Sequence, residues 1–131
     1  MVGATSHVAF HGLGKRFGDG PLVLDRIDAT IASGEFVALI GPSGCGKSTL
    51  LRLIAGLSPV TAGELYVNGR PPARGQPDTA FIFQEPTLLP WLNVVRNIEI
   101  PLRLRGVRAD ERRRRAEAML RLVRLEDVRR S

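Results

Sequence analysis

The spacing of apolar and polar residues changes repeatedly along the chain, and each change marks a new element. Residues 7–17 alternate weakly, which predicts an edge strand, and 18–21 turn it. Residues 22–31 set Leu24, Ile27, Ala29 and Ile31 among polar neighbours as a half-buried strand does, with a turn at Ser33 and Gly34. Phe36, Val37, Ala38, Leu39 and Ile40 then have no polar face, which predicts the central strand of a sheet covered on both sides. After a glycine-rich turn, Leu50, Leu53, Ile54 and Leu57 take helical spacing over 48–57, with Gly56 placed to end the helix. Residues 63–67 and 80–83 read as further strands, separated by a Gly- and Pro-broken loop over 68–77. Trp91, Val94, Val95, Ile98 and Leu102 again fall at helical spacing, and Pro101 is expected to kink or end that helix. A last helix is expected from about residue 110 to 125. Asp110 and Glu111 suit its N-terminal dipole, and Ala116, Met119, Leu120 and Val123 share one face.

Composition narrows the class. A chain of 131 residues with 44% hydrophobic content is the size of one ordinary domain and excludes a disordered protein. A single cysteine excludes an internal disulfide framework and a Cys-rich zinc site. No secretory signal is legible at the start, and the longest apolar run, 36–40, is too short to span a bilayer, so a soluble, intracellular domain is expected. The net charge of +6 suggests nucleic acid until it is located. Residues 1–102 balance eight basic against eight acidic side chains, whereas 103–131 hold eleven arginines against five acids. A neutral body thus carries a basic helical tail, read as a solvated helix face. Without interleaved aromatics it does not predict nucleic-acid binding.

The chemistry lies between the apolar run and the first helix. Gly41, Pro42, Ser43, Gly44, Cys45, Gly46, Lys47 and Ser48 match G-x-x-x-x-G-K-[ST], followed by Thr49. A triphosphate is held best by converging backbone N–H groups, so the loop must curl tightly and let phosphate oxygens approach the main chain. Lys47 supplies a point charge for the β and γ phosphates, and the Ser48 hydroxyl is a hard ligand suited to Mg²⁺. The helix that opens here points its positive end at the same anion. A chance match is expected on the order of once in a few hundred sequences. The motif also has the required context, a strand before it and a helix after it. Lys47 is one of only two lysines in a chain that otherwise uses arginine. Nucleotide binding is the expected function.

With G-P-S-G-C-G-K-S-T-L-L-R-L-I-A-G-L and F-Q-E-P at 83–86, the chain resembles the ATP-binding subunit of an ABC transporter. The segment 88–98 is similar to importers of the nitrate, sulfonate and taurine group. The resemblance implies an α/β P-loop NTPase fold of the ABC ATPase type, incomplete, with an antiparallel β subdomain and the start of a helical subdomain. Residues 1–90 would be the N-terminal part of the ATP-binding core and 91–131 the start of the helical subdomain. Gln84 would reach the Mg²⁺ and the attacking water, alongside Ser48, and Phe17 would stack on adenine, where a tyrosine is commoner. ATP and Mg²⁺ are the implied cofactors. The implied partners are membrane-spanning permease subunits, a second ATP-binding subunit in a homodimer and, indirectly, a solute-binding protein, with no nucleic acid. The implied place is the cytoplasmic face of the membrane, held peripherally.

The LSGGQ signature, a Walker B strand with its catalytic Glu, and a switch His do not occur in the 131 residues. The chain is therefore expected to be the first part of the ATPase domain and inactive alone. Two alternatives stay open: a non-catalytic nucleotide-binding interaction module, and another P-loop kinase or GTPase, disfavoured by the lack of an N-K-x-D guanine motif.

Overall fold

The computed structural model describes residues 6–128, which fall into two compact units, one up to Ile82 and one from Phe83 onward. In the first unit β1 (Ser6–Arg16) pairs antiparallel with both β2 (Leu22–Ala32) and β3 (Ala62–Val67), in the order β2-β1-β3. The strand expected at an edge is thus the middle one. Its weak alternation has a local cause. Phe10 pairs with Ala29 and Leu13 with Ile27, so β1 gains one residue near Gly12 and its inward side chains change parity. Val8 and Phe10 before the bulge, and Leu13 and Lys15 after it, are all buried.

Helix α1 (Lys47–Ile54) packs Leu50 and Leu53 against Phe10, Leu13, Leu24, Leu65 and Val67 of this sheet. Leu13 and Leu53 are fully buried, so truncating either to alanine costs about 2–5 kcal/mol. The helix ends at Gly56 as expected. Gly56 N–H donates to Leu53 O (3.0 Å) and Leu57 N–H to Arg52 O (2.8 Å), the paired bonds of a Schellman motif.

Two expected strands are not formed. Residues 36–40 pair with no described strand, and Phe36 and Ile40 are about 95% exposed. A run that is apolar on both faces becomes a strand only when neighbours hydrogen-bond to its edges and other elements cover it. The described residues supply neither. Residues 80–83 likewise adopt no regular structure, and Ile82 is almost fully accessible.

The second unit contains α2 (Val94–Leu104) and α3 (Ala109–Leu122), which bury Val95, Ala116 and Leu120 between them. Asn93 caps α2 by accepting from Arg96 N–H (3.0 Å), so Trp91 lies in the preceding turn and not on the helix. Pro101 is inside α2, which continues to Leu104. Met119 and Val123, expected on the buried face of α3, are more than half exposed. The four arginines 112–115 are engaged locally: Arg112 donates to Val107 O, Arg113 pairs with Glu117, and Arg114 and Arg115 both bond Glu111. Arg129 and Arg130 of the basic tail lie outside the described residues.

Candidate functional site

The loop from Gly41 to Gly46 runs from the extended segment 36–40 into α1. Cys45 N–H donates to Pro42 O (3.4 Å), which tightens the loop. Gly46 is the N-cap of α1 with φ 102°, and a Cβ there would lie 2.7 Å from Leu24 Cδ2 and 3.1 Å from Val23 O. Only glycine fits at that conformation and spacing, and the close approach sets the start of β2 directly against the loop. No side chain caps α1, so its first N–H groups are left for an outside acceptor, with the dipole's positive end behind them.

Lys47 folds back over the loop. Its Nζ donates to Gly41 O (2.6 Å) and Pro42 O (2.7 Å) and lies 3.5 Å from Cys45 Sγ. A cation is thus parked among carbonyls at the mouth of a ring of backbone groups, where an anion can take the place of those carbonyls as its partner. Beside it, Leu24, Ile27, Ala38, Leu39, Ile40 and Leu50 help to line a cavity of about 330 Å³.

Ser48 lies on the first turn of α1, exposed, and its hydroxyl makes no hydrogen bond among the described residues; Thr49 is half-buried. No group of three or more His, Cys, Asp or Glu that could hold a metal occurs among the described residues. Within the first unit, an ion at this loop would rest on the Ser48 hydroxyl, phosphate oxygens and water. That donor set suits Mg²⁺, which keeps several waters and binds through substrate phosphates.

Phe17 stands at the end of the β1–β2 hairpin, half exposed, with Gly20 N–H donating to its carbonyl (3.1 Å). Arg16 pairs with Leu22, and Val23 and Leu24 touch the loop at Gly46, so the hairpin end carrying Phe17 borders the phosphate-type loop. Sequence reasoning passed over Lys15. It is 5% exposed, donates to Pro59 O (2.6 Å) and sets its Nζ 4.8 Å from the centre of the Phe17 ring. Its only sequence signal was rarity, as the other of the two lysines.

Gln84 belongs to the second unit, exposed in a bend. Downstream of it, Asn97 organises the 89–93 turn. Its Oδ1 accepts from Leu89 N–H (2.8 Å), and its Nδ2 donates to Leu89 O, Leu92 O and Asn93 O. The turn so held presents Leu88 and Trp91 to solvent.

Comparison with known proteins bears on the family and the fold. The ABC transporter family profile matches residues 24–131. An aliphatic sulfonates import ATP-binding protein of Mesorhizobium japonicum is 56% identical over 72% of this chain and 34% of its own length. A taurine import ATP-binding protein of Burkholderia pseudomallei is 47% identical over 78% of this chain and 39% of its own. An sn-glycerol-3-phosphate import ATP-binding protein of Chromohalobacter salexigens is 46% identical over 89% and 32%. The chain thus spans about a third of the length of the curated relatives it matches. A dimeric ATP-binding cassette solved in a post-hydrolysis state with ADP and Pi superposes with a TM-score of 0.78 at 30% identity, over 94% of this chain and 60% of that one. The fold is that of an α/β P-loop cassette, present in part, and the chain belongs to the ABC transporter family.

Proposed function

We propose that the chain binds MgATP as part of an ATP-binding subunit that energises import of a small solute. The observation that carries this reading is Lys47, held by the Gly41 and Pro42 carbonyls at the mouth of an uncapped helix. When a triphosphate enters, Nζ exchanges those carbonyls for β- and γ-phosphate oxygens, and the loop Gly41 to Thr49 wraps the phosphates with the backbone N–H groups of all its residues but Pro42. Ser48 and Gln84 are the side chains that would hold Mg²⁺. The ion supplies charge neutralisation on the β and γ phosphates, the main requirement of phosphoryl transfer. Phe17 offers its exposed ring to adenine.

In the same reading, residues 1–90 are the first part of the ATP-binding core and 91–131 the start of the helical subdomain. The subunit sits on the cytoplasmic face of the membrane, paired with a second ATP-binding subunit and with permease subunits, and a solute-binding protein acts through the permease. Among the described residues no helix is long and apolar enough to cross a membrane. The exposed Leu88 and Trp91, on a turn pinned by Asn97, are a suitable docking edge.

Lys47→Ala is expected to abolish MgATP binding in calorimetric titration, and an unchanged affinity would sink the P-loop reading. ATP is expected to bind in preference to GTP; the reverse order favours the GTPase alternative. The 131 residues hold no signature motif, Walker B pair or switch His, so phosphate release by the chain alone is expected at background. Sustained hydrolysis, lost in Lys47→Ala, would show that those elements are dispensable here.

A further inference from the structure

Lys15 is the strongest unexplained group in the first unit. It is a cation only 5% exposed, on the sheet face that otherwise collects Val8, Phe10, Leu13 and Leu24. Burying an ammonium is costly unless it finds partners, and among the described residues hydrogen bonding satisfies only part of it, with one bond to Pro59 O at 2.6 Å. Its other neighbour is the face of Phe17, 4.8 Å from Nζ to the ring centre, within cation–π range. The backbone on either side is fixed as well. Thr61 N–H donates to Gly14 O, Arg16 N–H donates to Thr61 Oγ1, and Thr61 Oγ1 donates to Arg16 O. The 59–61 segment, which follows α1 and leads into β3, therefore holds both the strand end and the ammonium.

We propose that Lys15 is a positioning residue for the nucleotide base: by lying against one face of Phe17 it fixes the ring and leaves the opposite face for the purine. This rests on the reading of Phe17 as the base-stacking residue. The cation draws ring electron density toward itself, and the far face becomes a better partner for an electron-rich heterocycle. Two faces of one ring are thereby assigned, one to a protein cation and one to ligand. The phosphate loop, which grips the other end of the nucleotide, does not depend on this contact. Lys15 should then affect the base and leave the phosphates alone.

That separation defines the test. The full chain is titrated, with Mg²⁺ present, against ATP and against inorganic tripolyphosphate, which has the phosphates and no base. Lys15→Met keeps the aliphatic stem and removes the charge. It is expected to weaken ATP binding about three- to tenfold, the range of a cation–π contact, with tripolyphosphate affinity within about twofold of the parent. Lys15→Arg keeps a cation over the ring and is expected to retain the preference for ATP. Lys15→Gln keeps a donor for Pro59 O without the charge, so it carries the test if Lys15→Met fails to fold. Phe17→Ala is expected to lose the same preference, with no further loss in the double variant. Unchanged ATP affinity in Lys15→Met or Lys15→Gln, with Phe17→Ala impaired, overturns the role of Lys15 alone. Equal loss of both ligands overturns it in favour of a purely structural lysine. If Phe17→Ala binds both ligands as the parent does, the stacking reading falls and takes this proposal with it.

Discussion

Single residues reveal where this chain accepts strain and where it avoids it. Gly46 sits at φ 102° with no room for a Cβ, and the loop geometry depends on that choice. The end of α3 has the same backbone requirement and a different residue. Arg124 takes φ 57°, with its N–H donating to Arg121 O (3.1 Å) and Leu125 N–H to Leu120 O (2.9 Å). Those are the bonds of a Schellman end, in the left-handed conformation that glycine occupies at least cost. Arg124→Gly is expected to stabilise the α3 end by about 0.5–1 kcal/mol, read as a raised midpoint in urea. A fall in the midpoint would mean that the arginine side chain makes an energetically important contact. The phosphate loop was legible at this scale because its residue types follow from the chemistry of holding phosphate. Lys15 was not, since a lysine on a weakly alternating strand gives no sign that it points inward.

Elements were legible where local pattern and packing agree. Leu50 and Leu53 on α1 meet the sheet as their spacing requires, and Ala116 and Leu120 on α3 meet Val95 of α2. Alternation failed at β1 because a bulge near Gly12 shifts the inward parity by one, which a periodicity count averages away. The basic tail also reads differently once side chains are placed. Glu111 accepts from Arg114 at 2.7 Å and from Arg115 at 2.6 Å, and these bonds, opposed by desolvation, hold its carboxyl down to about 2 from an ordinary 4.5. The folded-state pKa is depressed, so the contribution to stability is present above about pH 4.5 and is lost as the pH falls toward 2. Hydrogen exchange of α3 amides is therefore expected to accelerate as the pH drops through that window, beyond the intrinsic pH trend. Glu111→Gln should abolish the excess; an identical profile in both proteins would show that the ion pairs are too well solvated to matter.

On the scale of the whole molecule, the described residues leave exposed a run whose pattern calls for cover on both faces. Phe36 and Ile40 are almost fully accessible, and Val37 and Leu39 remain partly so, in a segment without a ladder. An extended apolar run with free backbone groups is a template for pairing with another chain. Light scattering is expected to show concentration-dependent self-association of the 131-residue chain, reduced by Phe36→Lys. A monodisperse monomer at tens of micromolar, as an order of magnitude, would mean that residues 36–40 find cover within the chain.

The sequence by itself determined the phosphate loop, the helices beside it and the family, because each depends on residues close together in the chain: a glycine before a lysine, leucines three and four apart, a cap and its helix. Only the tertiary structure decided the order of the sheet, the burial of Lys15 against Phe17, the pinning of the 89–93 turn by Asn97 and the fate of the run 36–40. The sheet order, the seating of Lys15 on Pro59 O and the fate of the run depend on partners distant in sequence, whereas the Lys15–Phe17 contact and the Asn97 bonds join near neighbours through a backbone shape that no apolar pattern encodes. A strand's apolar pattern states what it needs on its faces, and only the neighbours it meets in space decide whether it forms.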